Sequence, residues 1–290
     1  MKDFKLFVEL IRIKKPIGIM LLFWPCLWGL TLGNDFTING LEYGIYLVYF
    51  FLGSFLMRSA GCVVNDILDR KYDKLVKRTK VRPIASGRIS VRLGLVYAAI
   101  LCLLAFFILI QFNYVVILLG IASMPFAFSY PLMKRFTYWP QLFLGFTFNY
   151  GLIMGWFSIN LEFSYIPIFF YIGAIFWTLA YDTIYGFQDI KDDEIIGVKS
   201  TSIKFKKNPN SLIFLCYSIF ILMQIITGVM MEFSHYYFVG IVIISAHLLI
   251  YQCLNLNISN PNFCLKKFKS NNFLGFIIFL NIFINKIYLS

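Results

Sequence analysis

Charge is scarce in this chain. Asp, Glu, Lys and Arg make up 14% of its 290 residues, against about 25% in soluble domains. That excludes an ordinary soluble globular protein. Acids are scarcer still, at fourteen against twenty-six Lys and Arg. Histidine occurs only at 235 and 247, both isolated and suited to interfacial or packing roles. The six cysteines (26, 62, 102, 216, 253, 264) form no CxxC pair and no metal-ligand spacing. Five lie in or beside apolar runs, as small hydrophobic residues do. No cleavable signal peptide is expected, since no small-residue cleavage site follows the first apolar run; Asp3 and Glu9 argue against a transit peptide. Nothing resembles a soluble nucleic-acid-reading module, so the net charge of +12 does not point to nucleic acid.

What the chain has in abundance is apolar sequence, 60% overall with 33 Phe. In lipid only helices and closed barrels satisfy the backbone. A barrel would show period-2 alternation over about ten residues, whereas these runs are continuous and about twice as long, so helices are predicted. Nine spans emerge, near 16–33, 42–62, 92–111, 114–131, 138–157, 163–183, 211–231, 235–255 and 270–289. The uncharged stretch 93–133 is too long for one crossing, and Gln111-Phe112-Asn113 is the polar turn that splits it.

Basic residues orient the spans. Five precede the first span, nine fall in the 70–92 connection, two follow span four, five follow span six and three precede span nine. Twenty-four of the twenty-six therefore share one side. The opposite loops hold Asp35, Glu42, Glu162 and Glu232, with Lys286 near the far end. The amino terminus is expected in the cytoplasm of a bacterial inner membrane, and the carboxyl terminus outside. Much of the positive charge is accounted for by topology and by attraction to anionic headgroups.

The few acids are not scattered. Residues 65–73 (Asn65, Asp66, Asp69, Asp73) and 182–193 (Asp182, Asp189, Asp192, Asp193) each close an apolar run on that basic side. Asn65, Asp69 and Asp73 step by four, as do Tyr181, Tyr185, Asp189 and Asp193. If each stretch is helical, each set lines one face. Carboxylates so placed repel unless cations intervene, and hard oxygens suit Mg²⁺, which takes one or two carboxylates plus substrate phosphates. The alternative is that the acids neutralise Arg70, Lys71, Lys74 and Lys191 on a solvated loop. Arg58 lies inside span two, about two helical turns before Asn65. A central Arg costs ~2.5–3.5 kcal/mol on insertion scales, so it is expected to face the bundle interior, or else to snorkel to headgroups. Arg12, Arg82, Lys134 and Arg135 are further candidates to grip phosphate or carboxylate oxygens. Among the many aromatic residues, a subset lining an interior chamber could shield a carbocation.

These residues resemble the UbiA superfamily of intramembrane aromatic prenyltransferases. Asn65, Asp66, Asp69 and Asp73 match its NDxxDxxxD motif, and 181–193 its second acidic motif. Lys15-Pro16-Ile17-Gly18 with Trp24-Pro25, the run Met57–Val64, Tyr130–Arg135 with Pro140-Gln141, Gly197-Val198-Lys199-Ser200-Thr201, the basic loop 78–83 and the tail 264–271 narrow the likeness to the branch acting on 4-hydroxybenzoate. Gly186, where Ala is common, and Ser202 are small departures.

The resemblance implies an all-α fold with one domain over 1–290, a nine-helix bundle around a central chamber with a cytoplasmic cap. It implies Mg²⁺ held by Asn65, Asp69, Asp73, Asp189 and Asp193, with Asp66 and Asp182 supporting; Asp69, Asp73, Asp189 and Asp193 carry the catalysis. The implied substrates are a polyprenyl diphosphate and 4-hydroxybenzoate, with Arg12, Arg58, Arg82, Lys134, Arg135, Tyr185 and Lys199 as binding residues. Competing readings are another acceptor (naphthoate, homogentisate or haem) and a cation-coupled transporter, which would usually show paired broken helices and an inverted repeat.

Overall fold

The computed structural model describes residues 2–289, with side chains of residues 4–287. Among them there is no strand. The helices are α1 (Lys2–Leu10), α2 (Ile17–Gly33), α3 (Gly40–Leu68), α4 (Val91–Leu109), α5 (Tyr114–Ser129), α6 (Pro140–Ile159), α7 (Ile166–Gly186), α8 (Pro209–Met230), α9 (His235–Ser245) and α10 (Pro261–Leu289). Helix α9 runs on as a π-helical segment, Ala246–Leu254. Eight of these helices are long and apolar enough to cross a membrane. The ninth, α2, has 17 residues and reaches about 25 Å, the lower limit for a crossing. The chain is thus a multi-pass membrane protein with the expected bundle.

The predicted hairpin in 93–133 is present: α4 ends at Leu109, α5 starts at Tyr114, and the Asn113 side chain caps α5 by accepting from the Val116 amide at 3.1 Å. Three boundaries differ from the sequence reading. Helix α3 has 29 residues, about 44 Å, longer than the ~30 Å apolar core. The polar residues after Cys62 end the greasy run without ending the helix. Helix α10 starts at Pro261, so Lys266, Lys267 and Lys269 lie on its first turns rather than in a loop. Helix α7 stops at Gly186, and the stepping by four breaks between Tyr185 and Asp189. The amides of Phe187, Gln188 and Asp189 turn back three residues, and a new helix, Ile190–Ile196, follows.

Helices α2 and α6 pack closely because glycines face backbone. A Cβ at Gly29 would stand 1.9 Å from the Leu152 carbonyl oxygen, and one at Gly155 would stand 2.2 Å from that of Cys26. Beside them Trp28, Phe170, Trp177 and Phe220 form a fully buried stack. Their indoles are tied to α10: Trp28 Nε1 donates to the Gly275 carbonyl at 3.0 Å and Trp177 Nε1 to Asn271 Oδ1 at 2.9 Å. A buried indole N–H needs such a partner. A second cluster joins α1, α3, α4 and the 70–92 connection through Leu10, Ala60, Val63, Ile84 and Ile89. It anchors that connection over the end of α3.

Candidate active site

The two acidic stretches meet at one end of the bundle. In the first, the α3 ladder persists through the helix end: the Asp69 amide donates to the Asn65 carbonyl and the Asp73 amide to that of Asp69, both at 2.8 Å. Asn65, Asp69 and Asp73 therefore keep one face, as expected. The carboxylates are buried, and cations do stand between them, but these are side chains. Arg12 pairs with Asp66; Arg82 Nη1 reaches Asp66 at 3.2 Å and Asp73 at 2.8 Å; Lys134 Nζ reaches Asp69 at 2.5 Å. In the second stretch, Arg78 Nε donates to both oxygens of Asp189 at 2.9 and 3.1 Å. Arg70, Lys71, Lys74 and Lys191, the partners of the solvated-loop alternative, pair with none of these acids.

The other predicted residues fall into three groups. Arg135 stands at the rim, 3.9 Å from Asp69 Oδ1, and donates to the Leu68 carbonyl at 2.8 Å. Tyr185 lies within electrostatic reach of Arg12 and Arg78 and packs on Phe268 with ring centroids 4.4 Å apart. Lys199 is not brought to the acids: its ammonium donates to the Phe136 carbonyl at 3.2 Å and sits over the Tyr138 ring. Its backbone amide ties the segment to the Lys134 carbonyl at 2.8 Å.

Below the mouth, Arg58, Tyr130 and Asp182 are surrounded by protein yet only half-buried. They mark an interior space. Arg58 faces it, as its insertion cost requires, with its guanidinium 5.3 Å over the Phe148 ring. Gly18 makes the room, since a Cβ there would lie 2.6 Å from Arg58 Nε. Asp182 shares this space with Arg58 and not the rim with Asp189. Asn149 Oδ1 is buried with no hydrogen-bond partner among the described residues, while its Nδ2 donates to Thr178 Oγ1 at 2.7 Å.

The donor set suits a hard divalent cation. Asp69 Oδ1 is buried without a hydrogen-bond partner, and burial raises the Asp69 carboxyl above the usual range despite Lys134. Burial first, then repulsion from Asp189, pushes Asp193 up to about 6. Carboxylates that repel and an orphaned oxygen are what a cation would relieve. Among the described residues no three Asp, Glu, His or Cys side chains already converge on one point; Arg and Lys side chains stand between them.

Sequence reasoning missed Arg78 as a site residue. The signal was present, since it opens the basic loop 78–83 that carries the resemblance. It also missed the contact of two resemblance stretches, Gln141 Oε1 accepting from the Thr201 amide at 3.0 Å.

The UbiA prenyltransferase family profile matches residues 22–282, and the chain belongs to that family. It is 40% identical over 288 residues, 96% of this chain and 70% of the relative, to a Drosophila melanogaster protein named 4-hydroxybenzoate polyprenyltransferase, mitochondrial. A Bos taurus protein of the same name is 41% identical over 281 residues, 95% of this chain and 74% of the relative. Among solved structures, a UbiA homolog from Aeropyrum pernix superposes with a TM-score of 0.76 at 21% identity, covering 92% of this chain and 97% of that one. One from Archaeoglobus fulgidus bound to GPP and Mg²⁺ gives 0.67 at 19% identity, covering 96% and 99%.

Proposed function

We propose that this protein is an Mg²⁺-dependent transferase that moves a polyprenyl group from polyprenyl diphosphate to the ring carbon ortho to the hydroxyl of 4-hydroxybenzoate, releasing diphosphate, in ubiquinone synthesis. The observation that carries this reading is the pair of acidic motifs facing one mouth above an Arg-lined interior, in a chain about 40% identical to relatives so named. The match across residues 22–282 supports treating the chain as one prenyltransferase domain.

Asn65, Asp69, Asp73, Asp189 and Asp193 would hold Mg²⁺, with Asp66 and Asp182 supporting. The ion would supply charge stabilisation to the departing diphosphate. Lys134, Arg135, Arg78, Arg82 and Arg12, which now neutralise the acids or line the rim, are placed to turn to the diphosphate oxygens and stabilise the same charge. Tyr185 helps wall the mouth. Cleavage of the C1–O bond leaves an allylic cation; the electron-rich ring carbon attacks it and then loses its proton. Arg58, deep and facing Phe148, is assigned to the acceptor carboxylate, and Arg135 at the rim to the donor. Burial keeps water from quenching the cation to an alcohol.

The lysine distribution supports a mouth on the cytoplasmic face of a bacterial inner membrane. Because the relatives are named as mitochondrial, the lysines argue the side, and the compartment follows from the host cell.

The test is purified protein in lipid nanodiscs with Mg²⁺, labelled polyprenyl diphosphate and a mixture of aromatic acceptors, followed by mass analysis. Prenylated 4-hydroxybenzoate is expected. Prenylated naphthoate or homogentisate alone, or uptake into vesicles without covalent product, would overturn the reading.

A further inference from the structure

The turn Arg70–Asp73 that follows α3 has two unlike sides. Asp69 and Asp73 are buried at the mouth, while Arg70, Lys71 and Lys74 are exposed and line a cleft of about 340 Å³. The rest of its lining is Ile84, Gly87, Ile89, Ser90 and Val91. Gly87, at φ +77°, makes the turn that brings this wall round; only a residue without a Cβ holds that backbone at low cost. Arg70, Lys71 and Lys74 make no ion pair, hydrogen bond or ring contact among the described residues. Two other basic groups of the connection are engaged: Arg88 holds Glu9, and Arg82 holds Asp66 and Asp73.

We propose that this cleft is a docking site for the phosphate headgroup of an anionic membrane lipid. Three uncompensated cations supply the charge complementarity, since each such group near a membrane surface attracts anionic lipid. The apolar part of the lining, Val91 with the edges of the otherwise buried Ile84 and Ile89, suits the glycerol and first acyl carbons and gives a free anion nothing. The position also fits: Val91 begins membrane-crossing α4, and Leu93, two residues on, is an exposed apolar side chain. A lipid there would brace the connection whose Arg82 grips the first acidic motif.

The inference does not depend on the reaction, so its test reads binding. The full-length protein in detergent is titrated with phosphatidylglycerol or phosphatidylcholine of matched chains, and bound lipid is counted by native mass spectrometry. Wild type is expected to prefer phosphatidylglycerol by about fivefold or more. R70Q/K71Q/K74Q should lose that preference, and Lys74→Gln alone should lose part of it. K266Q/K269Q, on the same charged side but distant in the chain, should keep it. Retained preference in the triple variant, or equal loss in both multiple variants, overturns the proposal. Displacement of the lipid from wild type by millimolar inorganic phosphate would make the occupant a free anion and overturn it as well.

Discussion

The two acidic motifs share a mouth but are built differently. The first keeps its step of four past the end of α3 at Leu68 through the Asp69 and Asp73 amides, and its buried acids are clamped by Arg12, Arg82 and Lys134. The second sits beyond a break at Gly186, half-buried, with Asp189 held by Arg78 and Asp193 in no ion pair among the described residues. A rigid arm therefore faces a hinged one. Arg78, which holds Asp189, belongs to the basic loop whose Arg82 clamps the first motif.

The largest expected effects test whether both arms are needed. Asp69→Ala and Asp189→Ala should each remove more than 99% of turnover, about 3 kcal/mol or more of transition-state stabilisation. Chelation of Mg²⁺ should do the same to wild type, reversed by adding the ion back. Steady-state kinetics in nanodiscs decides; an Asp189→Ala protein with near-normal turnover would remove the second arm from the ligand set.

The next pair sharpens the difference in rigidity. Arg82→Gln leaves Asp73 without its cation and Asp66 with Arg12 alone. Breaking buried pairs from one side is destabilising, so a loss of about 2–3 kcal/mol is expected, read as a lowered Tm in detergent. Arg78 is the more exposed, with 42% of its side chain accessible, and exposed pairs contribute little to stability. Arg78→Gln should leave Tm within a degree or two of wild type. It should lower kcat/KM for the diphosphate donor about tenfold, or ~1.4 kcal/mol. Equal Tm losses in the two variants would erase the contrast.

The rigid arm was legible in the sequence and the hinged one was not. Asn65, Asp69 and Asp73 keep one face because the amides of Asp69 and Asp73 still reach back four residues beyond the end of α3, which spacing alone can express. The stepping breaks after Tyr185 at a turn against which Ser202 packs, a tertiary contact that local periodicity does not encode. Ion-pair partners were illegible for the same reason. Arg12 meets Asp66 across 54 residues and Arg78 meets Asp189 across 111, whereas the partners that the sequence reading weighed for these acids, as its alternative to a metal, were the neighbouring Arg70, Lys71, Lys74 and Lys191. The hairpin at 111–113 was legible because Gln111 and Asn113 are polar residues within an apolar run too long for one crossing. The interior place of Arg58 followed from the cost of exposing it.

The smallest expected effect lies at that hinge. Gly186 and Ser202, each a small departure from the family pattern, touch one another: a Cβ at 186 would lie 2.3 Å from Ser202 Oγ and 3.2 Å from its Cβ. Ser202 is fully buried, and its hydroxyl donates to the Thr183 carbonyl at 2.8 Å, so it cannot swing aside without losing that bond. Gly186→Ala should therefore destabilise by about 1–2 kcal/mol, although Ala is the better helix former. Ser202→Gly removes the obstruction, so the double variant should be more stable than the sum of the two losses, with a coupling of about 1 kcal/mol. Ser202→Ala keeps the Cβ at 3.2 Å and should rescue only in part. The cycle is read by Tm in the same detergent. Additive effects would mean that the hinge relaxes freely and that its break in the helix owes nothing to this contact.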